Sequence, residues 1–220
     1  MKKFSLHSPK IFLIFSIIAL SSISTQSQIY LSGTGGVNYI PMKSFAHFLN
    51  SLSNSKIDVI GFNGELGLRY SFSDRHNVNL NLGIINKNAS WSGGFSGANW
   101  NIRIFPIAVG YSYIFGNKVE DPILTHVGIN ISLNFIQIDE KSYTDTGGFN
   151  PDGFYKMHRY GFTPFVDLTY KLYEDLSLFT KFEYKYLNDV ELWSQELNLS
   201  GFIFNMGLQV KLFNVLSTQN

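Results

Sequence analysis

The sequence predicts an all-β fold, an eight-stranded antiparallel up-and-down transmembrane β-barrel, and three observations carry that expectation. Apolar and polar residues alternate with a period of two along most of the chain after residue 28, the signature of strands whose two faces meet different surroundings. The links between these strands alternate between short and long. Charged residues make up only 15% of the chain and aromatic residues 16%, whereas a soluble domain carries about 25% charge.

The segment IGFNGELGLRYSF, Ile60 to Phe72, shows the alternation most plainly. Ile60, Phe62, Leu66, Leu68, Tyr70 and Phe72 share one parity, and Gly61, Asn63, Glu65, Gly67, Arg69 and Ser71 the other. Periodicity alone does not say which face is wet, so residue type decides. A strand face open to water is normally filled with Lys, Glu and Thr, whereas the alternate face of the last predicted strand carries Gly201, Ile203, Asn205, Gly207, Gln209 and Lys211. Glycine and asparagine suit a crowded polar interior, which leaves the apolar face to lipid.

Taken in order, residues 1–27 read as a secretory signal peptide: Lys2, Lys3 and Lys10 precede the apolar run Ile11 to Leu20, and Thr25 and Ser27 suit cleavage before Gln28. The apolar run is shorter than the roughly 20 residues that span a bilayer. Residues 28–220 form the barrel domain, with strands expected at about 29–39, 57–72, 77–91, 99–115, 123–138, 160–173, 176–187 and 198–213. Most of them reach the roughly 9 to 11 tilted residues that cross a membrane. Within 99–115 the apolar parity changes, from Trp100, Ile102 and Ile104 to Phe105, Ile107, Val109 and Tyr111. A β-bulge near Ile104 would reconcile the two halves, leaving Pro106, Ala108, Gly110 and Ser112 as small inward residues.

The short links are SDRH, GNKVEDP and ED; the long ones are IPMKSFAHFLNSLSNSK, SGGFSGA, DEKSYTDTGGFNPDGFYKMHR and NDVELWSQEL. Short turns on one side and long loops on the other, with both termini on the short side, is the layout of a barrel with periplasmic turns and extracellular loops. Tyr39, Tyr70, Trp91, Trp100, Tyr113, Tyr160 and Tyr170 fall near strand ends, where interfacial girdles sit. Pro41 to Leu52 has helical apolar spacing and reads equally as a rim helix or as a loop packing over the barrel mouth. Gly33, Gly35 and Gly36 open no helix, so they mark close packing in the first strand rather than a phosphate cradle.

Two hairpins, LRYSFSDRHNVNLNLGI and LTYKLYEDLSLFTKFEY, share an apolar-x-Tyr-x-apolar entry, an acidic turn and an alternating exit, and FPIAVGYSYIFG has the same strand-and-turn form. On these residues the chain resembles the superfamily of small bacterial outer-membrane β-barrel proteins that includes the OmpA and OmpX types. The resemblance covers nearly the whole mature chain. It implies a monomer in the bacterial outer membrane, with outer-membrane lipid, lipopolysaccharide and the barrel-assembly machinery as partners and no cofactor. Many such barrels finish on an aromatic residue, whereas here Phe213 is followed by NVLSTQN.

The polar face supplies the candidate site. Glu65, Arg69, Arg103, Asp167, Lys171, Lys181, Glu183 and Lys185 all read as inward, forming a lumen polar network. Glu65 and Arg69 lie about 13 Å apart on one strand, so their partners must come from other strands. An eight-stranded barrel is just wide enough for side chains to fill it, which favours a plugged lumen over a pore.

Other chemistry is thin. The chain has no cysteine and a formal net charge of +1, which removes disulfides and thiolate metal sites and argues against a nucleic-acid partner. The five histidines, His7, His47, His76, His126 and His158, have no metal-ligand spacing. Asp145 to Gly153 departs from the spacing of a calcium loop and reads as turn. A rim catalytic site would have to join His158 to Ser90 or Ser142. The expected function is therefore a non-enzymatic outer-membrane barrel with a structural or surface-interaction role through its loops. A passive conduit for small solutes is the alternative, followed by an exported soluble lipocalin-like ligand-binding barrel and a lipid A-modifying enzyme.

Overall fold

The fold was obtained as a computed structural model, which describes residues 27–42, 55–93, 96–115, 122–144, 153–192 and 195–215. The predicted signal peptide up to residue 26, most of the segment read as a rim helix, and all but the last residue of the 145–153 turn lie outside the described residues.

Eight antiparallel strands close into a ring. In chain order the elements are β1 (Ser27–Tyr39), β2 (Ser55–Ile57), β3 (Ile60–Ser71), β4 (His76–Gly93), β5 (Ser96–Ile114), β6 (Ile123–Thr144), β7 (Gly153–Lys171), β8 (Leu176–Leu187), β9 (Val190–Leu192), β10 (Gln195–Leu197) and β11 (Gly201–Val215). The barrel runs β1-β3-β4-β5-β6-β7-β8-β11, each strand pairing with the next, and β11 returns to β1. Every wall strand except the closing pair is next to its sequence neighbour, the up-and-down arrangement that needs only hairpins. The strand expected over 57–72 is divided. β2 pairs with β4 through Ile57↔Ala89, β3 resumes at Asn63↔Ile85, and two extra residues are accommodated between them around Asp58 and Val59.

Three further expectations are corrected. SGGFSGA is not a long loop, because β4 and β5 continue pairing up to Gly93↔Ser96. In the same way β6 runs to Thr144 and β7 starts at Gly153, so strand occupies much of the stretch expected to be loop. There is also no bulge near Ile104. The β5–β6 register is unbroken from Ser96↔Thr144 to Ile114↔His126, and the even-numbered residues of β5 point inward along its whole length.

The outward face settles the solvation question. Ile60, Phe62 and Leu66 are 62%, 73% and 63% exposed, whereas Gly61 and Gly67 of the other parity are buried. The same holds for Val127, Ile129, Ile131 and Phe135 on β6 and for Phe202, Phe204, Met206, Leu208 and Val210 on β11. Val127 to Phe135 spans about 27 Å of strand, or about 21 Å of height at a tilt near 40°. That is close to the apolar band of a membrane barrel, about 25 Å. Tyr39, Tyr160, Tyr184 and Tyr186 edge the band towards the long loops, and Tyr70, Tyr111, Tyr113 and Tyr170 edge it towards the short turns. Trp91 and Trp100, expected in these girdles, instead face the interior.

Of the three early glycines only Gly36 is held in a close approach. A Cβ there would overlap the Phe204 carbonyl and the Asn205 side chain, whereas Gly35 has open space and Gly33 meets only Leu66 at 3.7 Å. Gly36→Ala is accordingly expected to destabilise the barrel by about 1–3 kcal/mol and Gly35→Ala to leave it nearly unchanged. Urea midpoints of the two variants folded into vesicles measure the difference.

Candidate functional site

The lumen is filled in three storeys. Nearest the short turns, Arg69 of β3 reaches across to β7, four strands away in either direction round the ring. Its Nη2 lies 2.6 Å from Asp167 Oδ2, its Nε donates to Asn79 Oδ1 at 3.1 Å, and its Nη1 is 3.3 Å from His126 Nε2. Thr169 donates to Asp167 Oδ1 at 3.2 Å and Asn77 meets His126 at 3.4 Å. Asp167 is completely buried, so Arg69 supplies its counter-charge and the flanking amide, hydroxyl and imidazole complete the hydrogen bonding.

The middle storey joins β3, β8 and β11. Lys181 bonds Glu65 across the lumen and lies 3.4 Å from Glu183 on its own strand, while Asn205 donates to Glu183 at 2.9 Å. Lys185, 3% exposed, continues the same face of β8. It borders a cavity of about 30 Å³ with Glu65, Glu183, Asn63 and Asn130. A second void of about 20 Å³ lies beside Arg69 and Lys181. Each has room for about one water molecule, far short of a conducting path.

The top storey is apolar. Ile40, Met42, Trp100, Ile102, Ile104, Ile136 and Leu199 belong to one buried cluster, with Trp91, Tyr155 and Met157 packed against it. The chain leaving β1 folds inward, Met42 adopting a positive φ of 45°, and the β9–β10 hairpin contributes Val190 and Leu197. Lys87 is buried among these residues, 1% exposed, and donates to the Val59 carbonyl at 2.5 Å. The same carbonyl accepts the Ile40 N–H at 3.0 Å, so Lys87 shares it with the backbone. The alternation of β4 placed Lys87 with Asn77, Asn79 and Asn81, but the run IINKN gave no sign that a carbonyl would meet it.

Of the predicted site residues, Glu65, Arg69, Asp167, Lys181, Glu183 and Lys185 face the lumen in the two charged storeys. Lys171 stands apart, at the short-turn end, where it borders a cavity of about 310 Å³ together with Gln28, Tyr30, His126 and Lys211. Arg103 is on the opposite face from the one expected. It projects outward from β5 and pairs with Asp139 of β6 on the outer surface. The inferred bulge had assigned it to the interior; with the ladder unbroken, its odd parity turns it out. His126, Asn79 and Asn205 were not among the predicted site residues, although parity placed each of them inside.

A rim catalytic pair does not form. His158 is exposed on the outer face of β7, opposite Phe135, whereas Ser142 lies on the inner face of β6, about seven residues or 23 Å further along. Ser90 faces outward on β4, two strands beyond β6. Among the described residues no three histidines or carboxylates gather to hold a metal.

No protein-family model matches the chain, and no curated protein matches it by sequence. Solved structures do match. Neisserial surface protein A aligns with a TM-score of 0.53 and 14% identity, over 84% of this chain and 96% of its own. The outer-membrane protein OprG of Pseudomonas aeruginosa gives 0.58 and 12%, over 87% and 98%. A major outer-membrane protein of Thermus thermophilus gives 0.54 and 12%, over 84% and 99%. At such identities the likeness is one of fold. With its closed ring and outward apolar band, this chain has the fold of the small eight-stranded outer-membrane β-barrel proteins.

Proposed function

We propose that the protein is a monomeric outer-membrane barrel with a sealed lumen and a structural or surface-interaction role carried at its long-loop end. The observation that carries this reading is the double closure of the interior, charged and hydrogen-bonded in two storeys and apolar in the third. A solute entering from the short turns would meet the Arg69–Asp167 pair, then the Lys181 cluster, then a close-packed aliphatic plug. Disrupting any of these layers carries a substantial free-energy cost.

The reading includes outer-membrane lipid and lipopolysaccharide as surroundings, the barrel-assembly machinery as the inserting partner, and no enzymatic step. Separation of His158 from Ser142 and Ser90 supports the last of these. The exported soluble barrel would require the apolar parity inside, the reverse of what β3, β6 and β11 display. Planar-bilayer recording tests the seal. Purified wild-type barrel is expected to show no sustained unitary conductance at neutral pH. Reproducible channel steps that change when Glu65 or Lys181 is replaced would establish the conduit instead.

A further inference from the structure

Above the apolar band the outer surface of the barrel carries a polar groove of about 560 Å³ bounded by Lys56, Asp58, Asn88, Arg103, Asp139 and Lys141. Its height follows from the ladder. Phe105 and Phe135 face each other in the last apolar rung on β5 and β6, and the next outward rung holds Asn86, Arg103 and Gln137. One rung is about 7 Å of strand, so the groove starts where hydrocarbon gives way to headgroups on the long-loop side.

We propose that this groove binds the phosphorylated sugar headgroup of an outer-leaflet lipid, an inference that rests on the outer-membrane reading above. Three cations, Lys56, Arg103 and Lys141, face two carboxylates, Asp58 and Asp139, so the groove carries one positive charge in excess. Asp139 holds the Arg103 guanidinium in place, with the Arg103 side chain still 38% exposed. A guanidinium fixed in a part-exposed position suits a phosphate oxygen, and exposed Lys141 adds a second charge on the same side. Between the charges lie Asn88, Asn99, Asn101 and Ser90, with Asn101 donating to Asn88 at 2.7 Å. Amides and hydroxyls offer both donors and acceptors, which a sugar ring uses and a simple phosphodiester does not. The acyl chains of such a lipid would continue down over Ile84, Phe105, Ile107 and Phe135, the apolar surface below the groove.

Native mass spectrometry of the detergent-solubilised barrel tests this with three probes: diphosphoryl lipid A, phosphate-free lipid A and phosphatidylglycerol. The diphosphoryl form should be retained at least tenfold better than the other two. The Arg103→Gln/Lys141→Gln variant should lose at least fivefold of that retention, and Arg75→Gln, at the opposite end, none. Lys141→Gln alone, an exposed change that leaves the Arg103–Asp139 pair intact, should lose at least twofold and covers the case in which the double variant does not fold. Equal retention of phosphatidylglycerol, or unchanged retention in the Lys141→Gln barrel, overturns the proposal. Insertion of the wild type into phosphatidylcholine vesicles, read by heat-modifiable migration, separates the two readings. Insertion without lipid A preference removes the groove alone, whereas failure to insert removes the outer-membrane reading and the groove with it.

Discussion

Asp167→Ala should destabilise the folded barrel by about 3–5 kcal/mol, the penalty for leaving a buried charge without its partner. Asp167 is inaccessible to solvent, and Arg69 would keep only Asn79 and His126, neither of which carries a compensating negative charge. The comparison variant is Asp175→Ala, which removes an ion pair to Lys211 at the short-turn surface with Asp175 66% exposed. There the expected loss is below about 1 kcal/mol. Urea unfolding in phospholipid vesicles measures both. The double variant Asp167→Ala/Arg69→Met should recover part of the loss, because it removes the stranded guanidinium as well. Equal midpoints for Asp167→Ala and Asp175→Ala would show that water reaches the Arg69 pair and that the lumen is not sealed at this level.

The second large effect is on the outer wall. Ile131 is 68% exposed at the middle of the apolar stretch of β6, the position furthest from both interfaces. Ile131→Arg is expected to cost about 2–4 kcal/mol in vesicles, as a cation does at a bilayer midplane, and Ser90→Arg, above the band, about 0–1 kcal/mol. The contrast depends on depth rather than on the residue introduced. If Ile131→Arg and Ser90→Arg unfold at the same urea concentration, the outward apolar face does not lie in hydrocarbon.

Much of this architecture was legible in the sequence where a strand stays within one solvent environment. β8 was expected over 176–187 and occupies Leu176–Leu187; Lys181, Glu183 and Lys185 share its inner face. The reading failed where a strand leaves the membrane. Below Phe105 the surroundings are lipid outside and a polar lumen inside, so the apolar residues of β5 point out. Above it the outside is water, the inside is the plug, and the apolar residues Trp100, Ile102 and Ile104 point in. The pattern reverses while the backbone continues without interruption. A change of surroundings mimics a bulge in the alternation of β5, and that misplaces Arg103 and Trp100. The partners in the lumen were out of reach for a different reason. Parity names the face a charge occupies, but which residue lies across the barrel depends on strand stagger, and no local pattern encodes that.

The closing contact of the ring joins the first strand to the last, from Ser27↔Val215 to Tyr39↔Phe202, with one register shift beside Ile29. The seven other junctions of the wall unite wall strands that follow one another along the chain, separated by far fewer residues. This seam has no turn to start it and brings together the most distant segments of the polypeptide. Contacts of such long sequence separation are the slow ones in folding. Until they form, β1 and β11 each expose a row of unpaired amides and carbonyls, which hydrocarbon tolerates poorly. An open sheet therefore cannot rest in the membrane core as a stable intermediate. Passage into the bilayer and closure of the seam are therefore expected to be coupled, so that a change weakening the β1–β11 register slows both together.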